Sequence, residues 1–176
     1  MTNQAHIFTL PPDLGAQIGR DTLARLAHQV AGVCSARRAS EFPCDDPAAA
    51  TRDNSLLDLL IYCYASGVLP SRAISELAEM DPVARTFCGG AFPERDEIAA
   101  FRRDHRALIQ ECLKQVYEAA WQAVINEAGP GRVPVGIAGA QPKPSPDTRY
   151  DPSDLLHQIH ERISRAAQMD CWSVDC

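Results

Sequence analysis

The chain has 176 residues, 45% of them hydrophobic and 23% charged, enough for one folded domain or slightly more. Its 17 basic residues are outnumbered by 23 acidic ones, a net charge of −6, which argues against a protein that coats DNA, RNA or an anionic membrane by bulk charge. No apolar run approaches the roughly 20 residues that span a bilayer. Met1 to Leu10 has neither a basic start nor a long apolar centre, so no signal peptide is expected and the cytoplasm is the default compartment.

Residues 1–12 read as an extended leader ending at Pro11-Pro12. Residues 13–38 read as a helix capped by Asp21 or Thr22, with Leu23, Leu26, Ala27 and Val30 on its apolar face. The stretch 39–54, with Pro43, Asp45, Asp46 and Pro47, reads as a loop. From Ser55 the run Leu56 to Ala65 is apolar nearly all round, the pattern of a buried central helix, and Gly67 is placed to stop it. A helix over about 71–80 presents Ile74, Leu77 and Ala78 on one side. Asp81 caps a short third helix that has Pro82 at its first position and ends at Gly89-Gly90.

The longest predicted helix covers about 94–126. Its core stripe is Ile98, Phe101, His105, Leu108, Cys112, Val116, Ala119 and Ala123. Arg95, Arg102, Arg103, Arg106 and Lys114 fall on one exposed flank, and Asp104, Glu111 and Glu118 on the other, with Asp96 breaking the pattern. The basic flank is either a solvated face with local ion pairs or a ridge that meets phosphates. His105, on the apolar side, reads as a core histidine bonded to a neighbour.

Residues 129–152 change to a Pro/Gly-rich linker, in which only Val133 to Ile137 looks strand-like. A last helix covers about 153–169, with Leu155, Leu156, Ile159, Ile163 and Ala166-Ala167 on its apolar face. The expected fold is all-α: a compact multi-helix domain over 13–128 that ends in a long helix, then the linker and one further helix with a tail over 153–176.

The seven cysteines are scattered and contain no CxxC pair, so most are expected to be small core residues. For zinc, His157 and His160 are spaced more tightly than usual and Cys171 and Cys176 more loosely, and an exposed polar face plus tail is the better reading. There is no GxSxG elbow, phosphate loop or dinucleotide glycine motif. No metal or cofactor is expected.

Several blocks occur in a telling order. Leu56-Leu57 leads through Leu60-Ile61-Tyr62-Cys63-Tyr64-Ala65-Ser66-Gly67-Val68 to Ser71-Arg72-Ala73-Ile74. The run Asp81 to Phe87, Gly89-Gly90, Pro93 and Ile98-Ala99-Ala100-Phe101-Arg102-Arg103-Asp104-His105 follow. This series resembles the N-terminal domain of InsH-type insertion-sequence transposases, of the DDE class. The resemblance implies an all-helical region that helps to hold transposon ends, with DNA contacts at Arg72, Arg95, Arg102, Arg103 and Arg106. It implies as partners DNA and a second copy or a full-length transposase.

The chain departs from that family in two places. Its turn before the long helix, Pro93-Glu94-Arg95-Asp96-Glu97, is acidic, which opposes phosphate approach. Where the family carries its first catalytic Asp, the segment Val133 to Ala140 places Ala138, which has no ligand oxygen. DDE chemistry needs three carboxylates on a sheet to hold two metal ions, so no nuclease or strand-transfer activity is expected. The rival readings are a protein-interaction module without a DNA role and a decaying transposase remnant.

Overall fold

A computed structural model describes residues 10–41, 46–128 and 152–172. Among them the chain forms eight helices and no strand: α1 (Gly15–Ile18), α2 (Arg20–Glu41), α3 (Pro47–Ala65), α4 (Ser71–Met80), α5 (Pro82–Cys88), α6 (Arg95–Asp104), α7 (Arg106–Ala128) and α8 (Pro152–Trp172). The all-α expectation holds. The leader up to residue 9, the linker with its strand-like stretch and Ala138, and Cys44 and Cys176 lie outside the described residues.

Helix α3 is the axis of the molecule. Every side chain from Leu56 to Ala65 is buried, and α2, α4, α5, α6 and α7 pack around it. A helix apolar on all sides needs that much cover, because each uncovered aliphatic side chain forfeits about 1.5–3 kcal/mol of transfer free energy. Its C-terminus closes by a Schellman motif. The N–H of Val68 donates to the Cys63 carbonyl at 2.9 Å and that of Gly67 to the Tyr64 carbonyl at 3.2 Å, with Gly67 at φ 82° as the motif requires.

Three boundaries differ from the sequence reading. Helix α3 starts at Pro47, inside the stretch read as a loop, because Asp46 caps it by accepting the Ala48 N–H at 2.9 Å. The helix predicted over 13–38 is divided at Gly19, whose φ of 87° is open to glycine and strained for other residues. Asp13 rather than Asp21 or Thr22 supplies the side-chain bond at its start, accepting the Ala16 N–H at 3.1 Å.

The long helix is also two helices, α6 and α7, broken at His105, which leaves helical geometry at φ −118° and ψ 24°. The buried face of this pair includes Ile98, Phe101, Arg102, Ile109, Cys112, Leu113, Val116, Tyr117 and Ala120. It is rotated from the predicted stripe, taking Ile109 in place of Leu108 and bringing a charged residue, Arg102, inside. Helix α8 turns Leu155, Ile159, Ile163 and Ala166 inward, each at most 1% exposed, against α7 and α4. Leu156 stays largely in solvent.

Candidate functional site

The five arginines implicated by the sequence are dispersed by the fold. Arg72, the second residue of α4, is exposed and pairs with Glu76 one turn on, at 2.9 Å. Arg95, the first residue of α6, is half-exposed, with the Asp96 carboxylate 3.9 Å away. Arg103 is exposed and has no ion-pair partner among the described residues. Arg102 faces inward, Arg106 is partly exposed, and both bond to α8.

Arg106 begins α7. Its Nη2 donates to the Ser164 hydroxyl at 2.6 Å and lies 3.3 Å from Nε2 of His160.

Arg102 is only 3% exposed. A buried guanidinium requires a counter-charge, and α8 supplies it: Asp170, four residues past Ala166 on the same face, forms an ion pair with Nη2. The same carboxylate caps α4 from another part of the chain. The Ser71 N–H donates to Asp170 Oδ1 at 2.8 Å, and the Ser71 hydroxyl donates to Oδ2 at 2.6 Å. The guanidinium is itself oriented by donating from Nη1 to the Tyr64 hydroxyl at 3.1 Å and from Nη2 to the Ser71 hydroxyl oxygen at 3.1 Å. The Leu69 carbonyl stands 3.5 Å from Nη1. Burial pushes the Tyr64 phenol up to about 12, against the pull of the Arg102 charge.

A second inward guanidinium, Arg162 of α8, was not singled out by the sequence. It donates to the Tyr64 carbonyl at 3.0 Å, to the Pro11 carbonyl at 2.8 Å and to the Tyr117 hydroxyl. No local signal marks it: its partners lie 45 to 151 positions away.

His105 sits at the α6–α7 break as a half-buried histidine bonded to neighbours. Arg38 Nη1 donates to its Nδ1 at 2.9 Å, which leaves the imidazole neutral with its proton on Nε2, 3.7 Å from Asp53. Its ring stands edge-on to Phe101 at 4.3 Å. Burial first, and then the Arg38 charge, lower its pKa.

The remaining features offer little chemistry. Cys34, Cys63, Cys88 and Cys112 are buried free thiols and Cys171 an exposed one. Burial pushes the thiols of Cys63, Cys88 and Cys112 up, away from the reactive thiolate. Exposed His157 pairs with Glu161 at 3.4 Å. Among the described residues no three His, Cys, Asp or Glu side chains gather closely enough for a metal ion. No described helix is long and apolar enough to cross a membrane. An open groove of about 360 Å³ runs between the first turns of α3 and residues 89–93. Its charged lining residue, Arg52, is already engaged by Glu97.

No family model matches the chain, and no curated protein or solved structure matches it.

Proposed function

We propose that this chain is a non-catalytic, transposase-like helical module that holds DNA, of the kind found at transposon ends, through arginines on its surface. The ordered blocks from Leu56 to His105 support the kinship, and an all-helical fold is what that kinship implies. The observation that carries the DNA contact is Arg103, an exposed cation without an ion-pair partner among the described residues. Arg72 and Arg95 add surface charge within reach of solvent. Arg102 and Arg106 leave the interface and serve the fold. The absence of catalysis rests on Ala138 standing where the family has its first catalytic Asp. A module of this kind would occupy transposon ends, or pair with a full-length transposase and dampen it.

A mobility-shift titration of the full chain against insertion-sequence end duplexes tests this reading. Three phosphate contacts give a fall of log K with log salt of slope about −2.7. Arg103→Glu is expected to reduce that slope by about one to two and to weaken binding. No salt-sensitive shift at micromolar protein removes the DNA reading, and magnesium-dependent cutting of the duplex removes the non-catalytic one.

One observation favours the protein-interaction reading: of the five arginines, Arg102 is buried in an ion pair, Arg106 is engaged by α8, and Arg72 is paired with Glu76 on the surface. Under that reading Arg103→Glu leaves retention on DNA unchanged.

A further inference from the structure

The contacts around Asp170 have the composition of an anion-binding pocket. Three donors converge on one carboxylate: a backbone N–H at the first residue of a ten-residue helix, a hydroxyl, and a buried guanidinium. The helix terminus adds its own positive end.

The carboxylate does not use all that the pocket offers. Asp170 meets Arg102 through Nη2, while Nε, on the same edge of the guanidinium, is buried without a hydrogen-bond partner among the described residues. Arginine normally presents that edge as a two-pronged fork to a carboxylate or phosphate. Asp170 turns its oxygens to Ser71 and Nη2, and neither one reaches Nε. A phosphate group, with more oxygens arranged tetrahedrally, can satisfy Ser71 and both prongs together.

The occupant is also held by little else. Among the described side chains of α8 beyond Ala166, Asp170 is the buried one; Gln168, Met169 and Cys171 are exposed. Helix ends open at low cost when no core contact ties them.

We propose that the pocket formed by Ser71 and Arg102 is a phosphate-binding site, with Asp170 as its internal occupant and the last turn of α8 as a removable plug. Its ligand is a phosphate group, free or part of a nucleic-acid backbone. The pocket goes beyond the surface arginines of the preceding proposal and does not depend on them.

Chemical rescue tests the site in the full chain. Asp170→Ala removes the occupant and leaves the cationic pocket uncompensated. Its melting temperature is expected to fall, and inorganic phosphate is expected to restore it by about 5 °C at roughly 100 times the dissociation constant, with sodium chloride at equal ionic strength having no such effect. Asp170→Asn, which keeps the shape and removes the charge, gives the same comparison should the alanine variant not fold. The wild-type chain is expected to bind phosphate at least about tenfold more weakly, because Asp170 competes for the pocket. In the double variant Asp170→Ala/Arg102→Met, an apolar replacement of the ion pair that proteins often tolerate, the rescue is expected to vanish.

Equal melting temperatures in phosphate and chloride for both single variants overturn the proposal, as does rescue that persists without Arg102. A duplex-DNA arm separates the two sources of phosphate. About tenfold tighter duplex binding by Asp170→Asn identifies a backbone phosphodiester, whereas phosphate rescue with unchanged duplex binding identifies a free phosphate group. Duplex binding by the wild-type chain without any phosphate rescue sinks the pocket and leaves the DNA reading standing.

Discussion

Arg162 ties four parts of the chain together with one guanidinium. It bonds the carbonyl of Pro11, the Tyr64 carbonyl in the last turn of α3, and the hydroxyl of Tyr117 on α7, all from its seat on α8. Its charge also lies 5.7 Å from the centre of the Tyr117 ring. Arg162→Met keeps much of the stem and removes every donor, so both carbonyls lose a partner in a half-buried setting. The expected loss is about 2–4 kcal/mol in urea unfolding. A loss below about 0.5 kcal/mol, the range of an ordinary surface change, contradicts this role. Asp58 acts through pH instead. It is buried and accepts from His28 Nδ1 at 2.6 Å, yet burial outweighs that bond and raises its pKa. A carboxyl whose folded pKa lies above its unfolded value stabilises the fold when protonated, so its contribution is complete below the unfolded pKa and fades as pH rises through the folded one. Relative to Asp58→Asn, the native chain is therefore expected to gain stability as pH falls from neutrality toward the unfolded carboxylate range; a flat difference across that window rules this out. Neither arginine's role was legible in the sequence. A helical wheel assigns Arg102 to solvent because it is charged, and only a carboxylate 68 positions away reverses that assignment.

At the scale of elements, the same two-residue device starts two helices. Asp81-Pro82 begins α5, with the carboxylate accepting from the N–H groups of Val83 and Ala84, both at 2.9 Å. Asp46-Pro47 begins α3 in the same way. The sequence reading recognised the first and took the second for a loop, although proline at a first helical position lacks only an N–H that has no partner there in any case. The reading missed the eight residues from 47 to 54 for that reason. The opposite end of α3 was legible, since a glycine after a long apolar run is a stop signal. The structure adds why glycine is needed. Gly67 has φ 82°, and a Cβ there would stand 2.3 Å from the Pro12 carbonyl oxygen, a backbone atom that cannot swing aside. Gly67→Ala is therefore expected to cost about 2–4 kcal/mol, from left-handed strain together with displacement of residues 10–14. Unfolding of this variant at the native midpoint would contradict the close approach. The break at His105 had no comparable signal: the spacing of three and four runs through it, and the partners His105 meets there, Arg38 and Asp53, come from two other helices.

Across the whole molecule the question is whether α8 belongs to the core or rides on it. The sequence showed its apolar stripe but not its seat, because 23 residues, 129–151, separate it from α7. Four of its side chains, Leu155, Ile159, Ile163 and Ala166, are essentially without solvent contact. The three large ones at about 1.5–3 kcal/mol each bring their combined transfer term to roughly 5–9 kcal/mol, comparable to the entire net stability of an ordinary domain. A helix docked that firmly cannot detach as a unit while the rest stays folded. Amide hydrogen exchange in its middle, residues 159–166, is therefore expected to proceed only by global unfolding, with the same denaturant dependence as the centre of α3. Its last turn is different, since Asp170 is the one buried residue there among the described side chains. Amides at 169–171 are expected to exchange by local fraying, faster and with little denaturant dependence. Exchange at 159–166 well ahead of α3 would make α8 an appendage of the domain. Exchange at 169–171 as slow as that at 159–166 would leave the Ser71–Arg102 pocket permanently closed, because the step that opens it would then require unfolding the protein.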